Sequence, residues 1–333
     1  MKNKHISLST KMFLGNILPL IFASTFIIGS FLIVLKKTIN TDIEKITETS
    51  IENLDSKISA IIQEYETQID HLRNIVKEKH NKETADLATK ALTVNMPEDF
   101  ALYYGTLISR YEPGGLYSDS SGWNPDADWL PPERPWFQDA VKNSGEFAIT
   151  DPYVDTMTNS ICTTISKDVK DENNKLLGVA AIDIILNNLS TAMADIKISE
   201  NAKAYIVNAD GLFITNDDTS FLMEKSIFDE SEFKKHSFNK TNFFNLSNII
   251  IKGGIFYGVC KSSSTPWYIV AYGPVSDFTK NSYSAIFKVL LIIIAAIATA
   301  AVILLFSAKS SAREFKLMVV NCNEIAQGDF TKE

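Results

Sequence analysis

The residues best suited to chemistry in this chain lie between Trp129 and Asp183. The stretch Trp129-Leu-Pro-Pro-Glu-Arg134-Pro-Trp136-Phe137 sets one arginine in a proline-stiffened loop between two indoles. Its guanidinium is a planar, permanently charged fork matched to a carboxylate. The Trp136 indole adds one N–H donor and an apolar wall. Asp151-Pro-Tyr153-Val-Asp155 follows with acceptors and a phenol, and Asp183 interrupts the apolar run Val179-Ala-Ala-Ile-Asp-Ile-Ile-Leu186. A carboxylate in such a run is costly unless it meets a donor. A cation at one end and two carboxylates at the other complement a zwitterion, namely an α-amino acid. The same residues also permit Arg134 to bridge Asp155 or Asp183 inside the fold, and residue types alone leave these two readings even.

No catalytic constellation competes for these residues. The chain has no P-loop, no HExxH, no GxSxG and no CxxC, and its four histidines (His5, His71, His80, His236) are scattered. His71 and His80 are not at metal-ligand spacing and read as solvated helix residues. The Asp151/Asp155 pair has no partner acid in a hydrophobic pocket and no metal cluster beside it. The chain is expected not to be an enzyme, with no catalytic residues, no metal and no cofactor.

Acids outnumber Lys+Arg by 40 to 32, a net charge of −8, which argues against a nucleic-acid partner. Two uncharged runs, Met12–Leu35 and Val289–Ala308, can each cross a hydrocarbon layer of roughly 30 Å as a helix. Transmembrane helices are therefore expected at 12–35 and 286–308, after a cytoplasmic tail at 1–11. Lys2, Lys4 and Lys11 precede the first run, and Lys309, Arg313 and Lys316 follow the second. Basic outer flanks place both termini in the cytoplasm and residues 36–288 outside it, in the cell membrane. Lys36, Lys37 and Lys288 at the opposite ends weaken that bias. A cleaved signal peptide is the competing reading of the first run, against which stand its length and the lack of a small-x-small cleavage site. Three cysteines are too few for a disulfide framework, although a Cys162–Cys260 bridge is conceivable.

These residues need elements to hold them. After the first run, apolar residues at Ile39, Ile43, Ile46, Leu54, Ile58, Ile61, Tyr65, Ile69, Leu72 and Val76 step by threes and fours along one seam of an amphipathic helix. No Gly or Pro interrupts Lys36 to Asn95, so a single stalk helix over 36–92 is predicted. Its seam is expected to pack both on its own domain and on a second protomer, giving a homodimer through stalk and transmembrane helices. From Pro97 the texture becomes short β-type runs. Strands are predicted at Ala101–Ile108, Phe147–Thr150, Ser160–Ser166 and Leu176–Ile185, with a helix at Trp136–Lys142 and a long loop from Ser118 to Pro135. A second set is predicted at Lys203–Asn208, Leu212–Thr215, Ile249–Ile251, Gly254–Lys261 and Trp267–Tyr272, with a turn at Asp210-Gly211. The predicted fold class is α+β: two modules in tandem, 93–190 and 191–284, behind a long N-terminal helix.

The order Arg-Pro-Trp-Phe, Asp-Pro-Tyr-x-Asp and Gly178-Val-Ala-Ala-Ile-Asp183 resembles the membrane-distal module of double Cache (dCache) sensor domains. More narrowly, it is similar to their amino-acid-recognising subset in bacterial methyl-accepting chemotaxis proteins. Tyr205-Ile-Val-Asn-Ala-Asp-Gly211 and Thr265-Pro-Trp267-Tyr-Ile-Val resemble the second, membrane-proximal module, and the likeness covers about residues 36–284. The resemblance implies a tandem PAS-like fold outside the membrane and ligand contacts from Trp129, Arg134, Trp136, Tyr153, Asp155 and Asp183. Arginine and tryptophan would take the ligand carboxylate, and the tyrosine and two aspartates its ammonium. The subset usually carries a tyrosine where this chain has Trp129, which can donate a hydrogen bond but not accept one. Amines without a carboxylate are the alternative ligand class. The ligand side chain would be read by the loop Tyr111–Asp128.

Beyond the second span, Asn323-Glu-Ile-Ala-Gln-Gly-Asp329-Phe330 resembles the connector of a HAMP signal relay, without the proline usual just after the membrane. Residues 309–333 would then begin that relay, and cytoplasmic signalling partners would be engaged from beyond residue 333. A histidine kinase or a diguanylate cyclase with the same front end is the alternative to a chemoreceptor.

Overall fold

The structure, a computed structural model, describes residues 8–94, 96, 101–193 and 196–326. Its first element is a continuous helix, α1 (Leu8–Glu78), and its last another, α7 (Ser276–Ala326). Both are long and apolar enough, by length and composition, to cross a membrane. The Gln327–Phe330 part of the relay-like motif lies outside the described residues, as does Met1–Ser7 of the tail.

Between Glu44 and Val275 the chain forms one compact unit. The α1 seam is buried in it: Ile51, Leu54, Ile58, Ile62, Tyr65, Ile69, Leu72 and Val76 are all nearly inaccessible. Ile46, expected in the seam, stays exposed, while Ile51 and Ile62 join it. The predicted helix over 36–92 is in fact two. Asn81 leaves helical geometry (φ −146°, ψ 163°), and its side chain accepts from the Thr84 N–H, capping α2 (Lys82–Leu92). His80 at the break hydrogen-bonds Tyr104 through Nε2 (2.8 Å).

The first sheet has strand order β2-β1-β6-β5-β3, all antiparallel, with β4 also on β5. Its strands are β1 (Leu102–Thr106), β2 (Tyr117–Asp119), β3 (Ala148–Ile149), β4 (Tyr153–Val154), β5 (Ile161–Lys170) and β6 (Leu176–Ile185), with α3 (Pro135–Lys142) between β2 and β3. Side chains alternate between its faces. Tyr104 and Ser118 point to the helices, bonding His80 and Thr89, while Arg73 of α1 donates to the Asp168 carbonyl (2.7 Å). The other face carries Tyr103, Tyr117, Ala181 and Val179 in one buried cluster with Trp136 and Phe137 of α3.

Gly178 marks how closely β1 and β6 approach. A Cβ there would lie 2.3 Å from the Gly105 carbonyl oxygen and 2.6 Å from the Tyr104 hydroxyl. Gly178→Ala is expected to destabilise the domain by about 1–3 kcal/mol, as overpacked cores do. A urea melt followed by circular dichroism measures it, and a midpoint equal to wild type would refute it.

Helix α4 (Leu186–Met193), unpredicted, leads to a second sheet of order β7-β10-β9-β8. It comprises β7 (Lys203–Val207), β8 (Ile250–Lys252), β9 (Ile255–Lys261) and β10 (Tyr268–Pro274), with short α5 (Ser231–Lys235) and α6 (Lys240–Phe243) before β8. Phe213, Phe233, Phe243, Phe256 and Trp267 fill its core. This sheet packs on the earlier stretch of α1, where Asp55 accepts from Ser263 and Ser59 donates to Ser264. Leu212–Thr215 is not the predicted return strand. It makes only isolated bridges, Val207 to Phe213, Leu212 to Ser226 and Phe213 to Leu222, and the Asn208 side chain closes the turn before it by accepting from the Leu212 N–H. Cys162 is buried on β5 and Cys260 exposed on β9, both free, so the conceivable bridge is not formed.

Candidate ligand-binding site

All six residues predicted from the sequence line one cavity over the open face of the first sheet. Trp129, Arg134, Trp136, Tyr153, Asp155 and Asp183 share it with Ala101, Tyr103, Tyr117, Asp119, Trp123, Thr156 and Met157. The floor follows from strand pairing. Tyr103 lies between Asp119 and Ala181 in the register, and Asp183 pairs with Thr164. Period-two alternation therefore brings Tyr117, Asp119, Tyr103, Asp183 and Thr164 to the same side. Gly105 leaves the sheet bare beneath Trp136: a Cβ there would sit 3.2 Å from the indole and 3.0 Å from the Pro131 ring.

The walls come from the Ser118–Pro135 loop and α3. Arg134 is the N-terminal boundary of α3, held extended (φ −91°, ψ 144°) before Pro135, which occupies the first helical position. Trp136 is buried, and its carbonyl accepts from Ser166 (2.8 Å). Trp123 and Trp129 pack edge-to-face at 5.3 Å and both meet Tyr117, at 5.8 and 5.1 Å. The Trp129 Nε1 is buried with no hydrogen-bond partner among the described residues, a rare and costly state for an N–H group.

The charges are not spent on one another. Arg134 makes no ion pair among the described residues. It donates to the Thr156 hydroxyl (2.6 Å) and lies 5.7 Å from the Trp129 ring centroid. Asp155 caps its own turn, accepting from the Thr158 N–H and hydroxyl (both 2.7 Å). Asp183, 8% exposed, accepts from Tyr103 (2.7 Å) and Thr164 (2.6 Å), both on Oδ1. Its Oδ2 accepts nothing from the described residues. Thr164 has one hydroxyl proton and gives it to Asp183, so the 2.6 Å bond it shares with Tyr153 is donated by the phenol. The chain of donors thus runs Tyr153 to Thr164 to Asp183.

Burial pushes the Asp183 carboxyl up to about 7, against the hydrogen bonds from Thr164 and Tyr103 and with help from the nearby Asp155 and Asp119 charges. Burial also raises Asp119, which accepts from the Ser121 N–H (2.7 Å) and hydroxyl (2.5 Å) and from Tyr117 (3.1 Å). The phenols of Tyr103, Tyr117 and Tyr153 are held well above their ordinary range by burial, and the surrounding aspartates add to it. With Thr156 tied to Arg134 and the Ser121 hydroxyl against the Met157 sulfur (3.4 Å), the interior has room for about one water.

Tyr103 was not foreseen from the sequence, and Tyr117, Asp119 and Trp123 were foreseen only as part of the loop Tyr111–Asp128, without being singled out. The i, i+2 spacing of Tyr117 and Asp119 was the available signal, but β2 is only three residues long and opens the stretch read as loop.

The architecture recurs in solved proteins. The ligand-binding domain of the Pseudomonas fluorescens chemoreceptor CtaA, in complex with L-isoleucine, superposes with a TM-score of 0.55 at 18% identity over 74% of this chain and 97% of that one. The ligand-binding domain of the Pseudomonas aeruginosa amino acid chemoreceptor PctB, in complex with L-Arg, gives 0.52 at 17% identity, over 70% and 96%. In sequence, the chain is 24% identical over 212 residues to the methyl-accepting chemotaxis protein McpB of Bacillus subtilis, covering 61% of this chain and 29% of that protein. The chain spans about a quarter to a third of the length of such relatives. Residues 34–282 match the Cache domain model dCache_1, which takes in both sheets and most of α1. The chain belongs to that Cache domain family, as its residue order implied.

Proposed function

We propose that this chain is the sensor region of a bacterial chemoreceptor and that its first module binds an α-amino acid or similar zwitterion. The observation that carries the reading is the pairing pattern. Arg134 has no carboxylate partner among the described residues and Asp183 keeps an open Oδ2, although both line one cavity. The ligand carboxylate takes the place of Thr156 on Arg134 and accepts from the Trp129 N–H. Its ammonium binds Asp183 Oδ2, Asp155 and the lone pairs of Tyr153. That the solved relatives above hold amino acids supports this assignment.

In this reading α1 and α7 cross the cell membrane, both termini are cytoplasmic and the modules lie outside. Residues 309–333 begin a HAMP relay, and the receptor works as a homodimer. A ligand shifts its signalling state by no more than its differential affinity for the two states.

The direct test is a thermal-shift and calorimetric screen of the full chain in detergent micelles against the twenty amino acids, several amines and small carboxylic acids. A ligand at a hundred times its Kd stabilises the fold by about 2.7 kcal/mol. Shifts from amino acids are expected. Shifts from amines alone would return Arg134 to scaffolding, and carboxylic acids alone would remove Asp183 from the site.

Binding should depend on pH with a definite sign. An ammonium needs Asp183 ionised, and in the free protein its carboxyl titrates at about 7. Below that value the ligand must displace a proton, so its Kd should rise about tenfold per pH unit on acidification and level off above pH 7. Calorimetry at pH 6, in buffers of different ionisation enthalpy, should detect about one proton released per ligand. Affinity unchanged between pH 5 and 8 would contradict this.

A further inference from the structure

We infer that Asp119 reads a second cation, so that the preferred ligand is an α-amino acid whose side chain carries an ammonium or guanidinium group. The inference rests on the zwitterion reading and extends it to the side chain. Three carboxylates, Asp119, Asp155 and Asp183, line the cavity against a single arginine. A neutral amino acid brings one negative and one positive charge and leaves that excess as it was. A dibasic one reduces it.

Asp119 is the carboxylate left over. It is buried, and every donor it meets is neutral: the Ser121 N–H and hydroxyl and the Tyr117 phenol. No lysine or arginine pairs with it among the described residues. Buried charges are ordinarily paired, and the bond to Tyr117 occupies only part of what its Oδ2 can accept. The rings of Tyr117, Trp123 and Trp129 stand together on the same side of the cavity, and aromatic faces attract cations.

The spacing fits. Asp119 on β2 and Asp183 on β6 are separated by β1 alone and offset along the strands by two residues. That is roughly 12 Å between backbones at ordinary strand spacing and rise. The four-carbon stem of lysine, or the similar reach of arginine, covers such an interval once each carboxylate meets its nitrogen at hydrogen-bonding distance.

The experiment compares L-lysine with L-norleucine and L-arginine with L-citrulline, by calorimetry on the full chain in detergent micelles, for wild type and Asp119→Asn. Wild type should bind each cationic member at least about tenfold more tightly than its neutral counterpart. Asp119→Asn should erase that preference while leaving norleucine within about threefold. Equal binding within each pair by wild type, or a preference that survives Asp119→Asn, would overturn the inference and assign Asp119 to the turn it caps, with amino-acid binding intact. No binding of any amino acid would overturn the zwitterion reading as well. If Asp119→Asn melts below the assay temperature, the wild-type comparison alone decides.

Discussion

Asp183→Asn is expected to remove binding of amino acids and amines alike, by at least about thirtyfold, without unfolding the domain. The asparagine carbonyl can still accept from Tyr103 and Thr164, which both bond Oδ1 in the native protein. The change falls on the other atom, where an N–H2 group replaces the oxygen left open to an ammonium. Truncating one partner of a buried, hydrogen-bonded charge pair costs about 2–5 kcal/mol, and each 1.4 kcal/mol is a factor of ten. Stability moves little, because asparagine resembles the protonated carboxyl that burial already favours near neutrality. Paired melts and titrations separate the two quantities. A variant that melts like wild type and still binds would take the ammonium away from Asp183.

Arg134→Ala should discriminate between ligand classes. A charge-assisted hydrogen bond is worth about 1.5–3 kcal/mol, so amino acids should weaken by roughly ten- to a hundredfold. Simple amines should keep their affinity or gain some, since the removed charge repels them. Within the protein itself the guanidinium holds only the Thr156 hydroxyl and the face of Trp129. Both are peripheral to the buried cluster, and the melting temperature should stay close to wild type. Equal weakening for amines would make the arginine structural.

Much of this site was legible because each carrier left a local trace. Arg134 stood in a loop that two prolines and a third at the helix start could only hold in one place, and Asp183 stood out as a charge in an apolar strand. The antiparallel pairing of β5 and β6 likewise follows from two neighbouring β-type runs, Ser160–Ser166 and Leu176–Ile185, which the structure joins by a turn closed from the Asn174 N–H to the Asp171 carbonyl. What escaped reading depends on pairing at a distance. β2 is three residues long, and nothing within it announces a strand, since its order comes from β1 beside it. Tyr103 belongs to a run that is buried throughout, so hydropathy could not tell which face each residue takes. The break at Asn81 was visible in principle, because an asparagine accepts from the N–H three residues on wherever a helix can restart. The absence of Gly and Pro outweighed it, although a cap can interrupt a helix as well as either.

The donor chain from Tyr153 through Thr164 to Asp183 is a row of rotors with two orientations. With Asp183 ionised every hydrogen points toward it, and the cavity meets the oxygen of Tyr153 as an acceptor. Place a proton on Asp183 and the row can reverse: the carboxyl donates to Thr164, Thr164 donates to Tyr153, and the phenol hydrogen turns into the cavity. The row then offers an anion one donor, the Tyr153 phenol, where it had offered a cation an acceptor. In evolutionary terms, descendants of this domain could cross from cationic to anionic ligands without first replacing a residue at the floor. The intermediate already exists as a protonation state, and a later substitution at Asp183 would only make it permanent.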